Sequence, residues 1–322
     1  MPSFLEAYGK VKAAVAANEE SHLSHICVRE GMMFATNSRM TAAAEVDFDG
    51  SFMVPAKEFY QAITVLGEDG CKVKVKDESK LVVYKSRRRV TIATLDQKDF
   101  AYNLPEGELL AIPRGFVDAL RSVYKFMSDD RTKAWANAVR VKGNSVYATN
   151  NITLACSSFD EWGSDVDITI PDWVIEYIVT RQAELQYMSF MPNSVSFNWS
   201  DNSWVRSARL SQEMPEVVLD LIAKIEEPEF ELSQDWLDAF RTVTQMSGDV
   251  LHICPDKIRA GKGHASIEAE VASPVDLEET MWHPKYLELV VAQATHFDPG
   301  AWPKPCSWKG DNCRGLIVGR RT

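Results

Sequence analysis

The 322-residue sequence has no glycine-rich phosphate loop, no GxSxG nucleophile elbow and no HExxH pair, and its six histidines share no recurring position. The local patterns that cradle phosphates, activate a serine or ligate zinc on one helix are therefore missing. No apolar run approaches the roughly 20 residues needed to span a bilayer, and the N-terminal stretch lacks a basic-then-apolar signal pattern. A cytoplasmic location, with no membrane partner, is expected. The six cysteines, at 27, 71, 156, 254, 306 and 313, contain no CxxC and suit reduced thiols better than a disulfide framework. Cys254, Cys306 and Cys313 with His252 match no standard zinc knuckle, so no metal or other cofactor is expected. Basic residues are scarce as well: 35 Lys and Arg against 46 Asp and Glu leave a net charge of −11. That balance excludes a protein gripping nucleic acid over its whole surface, but not one that gathers a few basic residues on one face.

What is present is a pattern stated three times. Phe4-Leu5-Glu6-Ala7-Tyr8 leading to Val11 returns as Phe116-Val117-Asp118-Ala119-Leu120 leading to Val123, and again as Trp236-Leu237-Asp238-Ala239-Phe240 leading to Val243. The interval of about 115 residues is too long for a solenoid repeat and close to a whole domain. Further landmarks keep the same order. Val54-Pro55, Ile170-Pro171 and His283-Pro284 each open an apolar helical run, and Ala35-Thr36-Asn37 returns as Ala148-Thr149-Asn150. The last landmark is lost near Gly263-His264-Ala265, which makes the third copy the most divergent.

Each copy reads as α+β. The first helix spaces Phe4, Tyr8, Val11 and Val15 into one buried stripe. The second helix is predicted to carry Pro55, Pro171 or Pro284 in its first turn, where the missing N–H costs nothing. Lys72–Lys76, Lys80–Tyr84 and Val90–Thr94 alternate as an antiparallel meander with turns at Asp77-Glu78-Ser79 and Lys85-Ser86-Arg87. Gln186–Phe190, Val195–Trp199 and Val205–Arg209 echo it in the second copy. In the third, Pro303 and Pro305 break the pattern, leaving only Gly315–Val318 as a clear closing strand. Joins at Leu104–Glu108 and Ile225–Glu229 give modules 1–105, 106–226 and 227–322, each with two helices packed on antiparallel sheets.

Three such modules resemble the bacterial DNA polymerase III beta subunit, a processivity sliding clamp. The local matches are Val54-Pro55-Ala56-Lys57-Glu58-Phe59, Thr91–Leu95 leading to Asp99-Phe100, and Val146–Asn150 leading to Leu154-Ala155. The resemblance implies the DNA clamp fold, in which one chain is half of a closed homodimeric ring of six domains, its helices toward duplex DNA and its sheets outward. It implies a DNA-facing set of Lys10, Lys57, Arg121, Lys125, Arg181, Arg241 and Lys285. Ordinary solvated helix faces are the competing account, since Glu6, Asp118, Glu176, Asp238 and Glu288 share them. Arg87-Arg88-Arg89 sits at a strand turn and reads as a loop or interface feature.

The resemblance also implies a partner-peptide groove between the second and third modules, serving a replicative polymerase and a clamp loader. By position it uses Asn151, Ile152, Thr153, Leu154, Pro215, Leu219, Leu316, Ile317 and Val318. Here the family's usual Asp-Gly-His-Arg-Leu is Asn150-Asn151-Ile152-Thr153-Leu154, and the usual Met-Pro-Met-Arg-Leu ending is Val318-Gly319-Arg320-Arg321-Thr322. An apolar floor is kept and its polar rim replaced, so peptide specificity is expected to differ. Packing in the core is the alternative role for Leu154, Leu316 and Val318. The loosened motifs point to a divergent clamp of bacteriophage type. The rival readings are a monomeric scaffold displaying Trp135, Trp162, Trp173, Trp199 and Trp204, and an enzyme of unassigned class. With no polar constellation confined to one copy, no catalytic residue is expected.

Overall fold

A computed structural model describes residues 2–17, 22–77, 79–163, 165–210, 212–272 and 279–321. Glu78 in the first predicted turn and the terminal Thr322 lie outside the described residues. Two compact units result, one from Met1–Ile112 with Thr180–Arg209 and the other from Pro113–Val179 with Leu210–Thr322. These bounds follow the hydrogen-bonded sheets rather than the repeat, because strands of neighbouring copies pair with one another.

The first unit holds an eight-stranded antiparallel sheet ordered Phe52–Pro55, His25–Arg29, Met32–Thr36, Met40–Glu45, Trp204–Ala208, Ser194–Trp199, Leu185–Met191 and Leu110–Ala111. The fourth and fifth strands come from different copies. A three-stranded meander, Lys72–Asp77, Lys80–Lys85 and Arg88–Ala93, matches the predicted alternation to within a residue or so at each end. Helix α1 (Phe4–Val11) starts where the Ser3 hydroxyl accepts the Glu6 N–H at 3.2 Å. Helix α2 (Ala56–Leu66) stops at Gly67, whose φ of +77° suits glycine and whose N–H reaches back to Ile63 and Thr64.

Two helix expectations need correcting. α1 ends at Val11 and tightens into a 3-10 turn over Lys12–Ala14, so Val15 is extended and leaves the stripe. Ala7 and Val11 are buried, whereas Phe4 and Tyr8 are half-buried. These rings instead join α1 to α2: Phe4 meets Phe59 edge-on at 5.4 Å, and Tyr8 stacks on Tyr60 at 4.9 Å. Pro55 and Pro171 are the last residues of strands and precede their helices; only Pro284 is a first-turn proline. The fixed proline φ serves the strand-to-helix corner equally well.

The second unit contains a seven-stranded sheet ordered Asp167–Pro171, Ala138–Lys142, Ser145–Thr149, Thr153–Ser158, Arg314–Ile317, Cys306–Lys309 and His296–Phe297. Its four-stranded companion runs Ala265–Glu270, Lys257–Lys262, Leu251–Ile253 and Thr280–Trp282. The helices are α3 (Phe116–Val123), α4 (Asp172–Thr180), α5 (Glu216–Ala223), α6 (Gln234–Thr244) and α7 (Pro284–Val291). The third copy is therefore fuller than expected: Cys306–Lys309 begins immediately after Pro305, so the prolines border a strand and do not abolish it.

The tryptophans of the second copy do not form an exposed patch. Trp162, Trp199 and Trp204 are buried, and Trp135 and Trp173 are half-buried. Trp204 packs with Cys27, Phe34, Ala43, Met53 and Phe100 in the core of the first unit.

Candidate partner groove and basic helix faces

In the second unit, Thr153–Ser158 and Arg314–Ile317 run antiparallel with Leu154 directly opposite Leu316. Because side chains alternate across a strand, both leucines lie on one face and their neighbours Thr153 and Ile317 on the other. Leu154, Cys156 and Ile222 form a buried cluster there, flanked by half-buried Tyr147, Val218, Ile225 and Leu316. Helix α5 closes one side with Val218 and Ile222, and Ile225 continues the spacing just past its end. Burial pushes the Cys156 thiol up to about 11, with the Arg314 charge and hydrogen bonds to Tyr147 and Ser145 opposing, so it behaves as an apolar floor.

The turn leading into this seam is fixed by its own side chains. Asn150 Oδ1 accepts the N–H groups of Ile152 and Thr153 at 3.0 and 2.8 Å, while Thr149 Oγ1 donates to the Thr153 carbonyl at 2.6 Å. Asn151 takes a φ of +72°, a conformation asparagine tolerates better than most residues. Val318 N–H then bonds the Ile152 carbonyl at 2.9 Å and extends the seam past the strand end.

The sequence-derived groove set thus divides. Leu154, Leu316, Ile152 and Val318 meet along the seam. Thr153 and Ile317, each 1% exposed, are corrected to the opposite, core-facing side. Asn151 is an exposed turn residue, and exposed Pro215 precedes α5. Leu219 is buried on α5, but the α5 residues in the cluster are Ile222 and Val218. The sequence-derived set also lacked Tyr147, Cys156, Val218, Ile222 and Ile225. The i, i+4, i+7 spacing of Val218, Ile222 and Ile225 was the available signal.

Arg140 anchors the start of α5. Its side chain is 3% exposed and forks onto Asp167 at 2.9 and 2.8 Å, donates to the Met214 carbonyl at 2.6 Å, and pairs with Glu216. The Asp167 hydrogen bonds, with those to Glu216, raise its pKa further against desolvation. Lys142, at 2.8 Å, and Arg140 hold the Glu216 carboxyl below its ordinary range.

The seven basic positions differ in kind. Lys57 on α2 is exposed. Arg121 on α3, Arg241 on α6 and Lys285 on α7 are exposed and pair with Asp118, Asp238 and Asp129 at 2.9, 2.9 and 3.2 Å. Such surface pairs contribute about 0–1 kcal/mol each and exchange easily for another anion. Lys125 is exposed but sits in a 3-10 turn over Tyr124–Phe126, past the end of α3. Arg181 is corrected to a position beyond α4: its side chain is 11% exposed, pairs with Asp201 at 2.9 Å and lies 4.4 Å over the Trp199 ring. Lys10 is likewise drawn inward, 3.1 Å from the same Asp201 and 3.2 Å from Glu6. These two charges hold the first unit together and are poorly placed to meet a ligand.

Among the described residues, no group of three or more His, Cys, Asp or Glu is placed to hold a metal ion, and no helix is long and apolar enough to cross a membrane.

No family model and no curated protein matches the sequence. Solved structures do. A sliding clamp, DNA polymerase III subunit beta, from Pseudomonas aeruginosa is similar over 99% of this chain and 97% of its own, at 17% identity and a TM-score of 0.82. The corresponding clamp from Bartonella birtlesii has the same coverage at 16% identity and a TM-score of 0.84. A Helicobacter pylori beta clamp bound to a DNA ligase peptide covers 98% of this chain and 96% of its own, at 12% identity and a TM-score of 0.79. The chain has the sliding-clamp fold in a divergent sequence, across its whole length.

Proposed function

We propose that this chain is a non-catalytic DNA sliding clamp. Two copies close head to tail, the first module of one against the third of the other, into a ring around duplex DNA. The Leu154–Leu316 groove docks peptide segments of a replicative polymerase and its clamp loader in the cytoplasm. The observation that carries this reading is the match to clamp structures over 99% of this chain and 97% of theirs. The groove supports it, because an apolar floor beside a rigid turn suits a short peptide with apolar anchors.

Enclosure also fits the charge distribution. A ring holds DNA by topology, so weak contacts from exposed Lys57, Arg121, Lys125, Arg241 and Lys285 suffice, and an acidic chain is compatible with sliding. Modules 1–105, 106–226 and 227–322 are the units we assign to the ring's domains.

Two measurements test this. A homodimer has a solution mass of about 72 kDa, twice the 36.2 kDa chain. Loaded onto nicked circular DNA by a clamp loader, the protein is retained until the circle is linearised. A 36.2 kDa monomer, or retention indifferent to linearisation, would favour the scaffold reading and overturn the ring.

A further inference from the structure

The strand seam that makes the groove is built twice in this chain. In the first unit Met40–Glu45 pairs antiparallel with Trp204–Ala208, and Thr41 stands opposite Arg206. In the second, Leu154 stands opposite Leu316. The turns before the two seams share one set of bonds. Asn37 Oδ1 accepts the N–H groups of Arg39 and Met40, both at 2.9 Å, as Asn150 does for Ile152 and Thr153. Each seam is extended by the same closing bond: Ala208 N–H to the Arg39 carbonyl at 2.9 Å, and Val318 N–H to the Ile152 carbonyl at 2.9 Å.

With the scaffold held constant, the lining reverses its chemistry. Thr41 replaces Leu154, Arg206 replaces Leu316, Arg39 replaces Ile152 and Ala208 replaces Val318. A cavity of about 230 Å³ opens at the first seam, with Asn37, Asn103 and Asn193 adding amides to the two arginines. A hydrophobic anchor has no floor here, whereas a carboxylate meets donors on several sides.

The chain already places a carboxylate at this lining. The Arg206 side chain, 12% exposed, forks onto Glu106 at 3.1 and 3.2 Å and also donates to the Leu104 carbonyl. Glu106 belongs to the segment joining the first two copies and is 58% exposed, so an outside acid can compete with it. Arg39, exposed in the turn, lines the same cavity as Arg206.

We propose that the first seam is a second docking site, selective for an acidic peptide segment of a partner, whose carboxylates are received by Arg39 and the surrounding amides in the manner of Glu106. An arginine fork takes a carboxylate or a phosphate; the carboxylate is favoured here because Glu106 already occupies Arg206 and because the site lies at a sheet seam, not on the basic helix faces. The inference uses the groove reading only for the parallel between seams, and the two fail separately.

The test is fluorescence anisotropy of labelled hexaglutamate and hexalysine with the full-length chain at low salt. Hexaglutamate should bind saturably, one per chain, despite the net charge of −11 that opposes it. Arg39→Ala should weaken binding about tenfold, the size of one charge-assisted hydrogen bond, and Arg39→Glu should abolish it. Glu106→Gln should tighten binding several-fold by releasing Arg206, while Glu108→Gln, the same charge change two residues on, should not. Leu154→Asp, which disables the groove, should leave hexaglutamate binding unchanged. Equal affinity for wild type and Arg39→Ala, or equal effects of the two glutamate substitutions, overturns the site. So does a duplex DNA competitor that displaces hexaglutamate and itself loses affinity with Arg39→Glu, because that result makes the pocket a phosphate site.

Discussion

Leu154 and Leu316 stand directly opposite each other on neighbouring antiparallel strands, although they come from different copies of the repeat. The pair therefore sits where the seven-stranded sheet passes from one copy of the repeat to another, and it belongs to the apolar cluster that floors the proposed groove. Under that proposal, strand pairing and partner binding are coupled at this point in the molecule.

Leu316 is half-buried and Leu154 is 5% exposed, so aspartate at the two positions should act differently on stability and alike on binding. Leu316→Asp should cost about 1 kcal/mol of folding stability, and Leu154→Asp about 3 kcal/mol, because the deeper carboxylate loses more solvation. Both should weaken a peptide selected against the wild-type chain by more than about tenfold. Urea titration and peptide anisotropy separate the two effects. Full affinity in Leu316→Asp would remove the seam from the groove.

Gly315 permits the close approach of these strands. A Cβ there would fall inside the Leu154 carbonyl oxygen and the Trp308 ring, and Trp308 is fully buried. Gly315→Ala should cost about 2–3 kcal/mol through forced separation of the seam, with peptide affinity falling in parallel. Gly163, with no neighbour within 4 Å of its added Cβ, is the control: Gly163→Ala should stay within about 0.5 kcal/mol. A Gly315→Ala protein as stable as the control would show that the seam yields at no cost.

Much of the fold was legible because the chain repeats it. Period-two alternation in Lys72–Lys85 and helical spacing after Phe116 are local signals, and three copies confirm one another. Sheet continuity was not legible: nothing local in Met40–Glu45 says that its partner is Trp204–Ala208, since pairing between distant strands is a tertiary choice. The same limit explains Thr153 and Ile317, whose side of the sheet depends on register, and a shift of one residue reverses it. Arg181 misled because helical periodicity carries no stop signal at Thr180, and its attraction to Asp201 is non-local. Asn37 and Asn150, by contrast, were visible as repeated landmarks, and each proved to fix a turn.

Arg140 holds α5 against the sheet through Asp167, Glu216 and the Met214 carbonyl. Arg140→Met keeps much of the volume and removes every one of these bonds. It should cost about 2 kcal/mol, since the loss centres on charge-assisted hydrogen bonds made by a buried guanidinium. Peptide affinity should also fall, because Val218 and Ile222 ride on the helix it anchors, whereas Lys142→Met at the exposed end of the network should change little. Equal effects of the two substitutions on affinity would show that the anchor does not position the groove.

Asp201 gives the first unit a specific dependence on acid. Burial raises the pKa of its carboxyl, but hydrogen bonds from Ser203 and Lys10 and the Arg181 charge together outweigh that and hold it below its ordinary 3.8. A carboxyl whose pKa is lower folded than unfolded contributes stability above the unfolded value, and that contribution is lost as pH falls through the folded value. The first unit should therefore be insensitive to Asp201 titration at neutral pH and lose stability below about pH 4, where the unfolded chain takes up the proton first. Asp201→Asn should lower the thermal midpoint at pH 7, by taking their shared carboxylate from Lys10 and Arg181, yet flatten its fall between pH 4 and pH 2. Melting curves followed by circular dichroism across that range are the measurement. Parallel pH profiles for wild type and Asp201→Asn would place the acid sensitivity elsewhere, with the exposed carboxylates Glu216 and Glu227 next in line, both held low by basic neighbours.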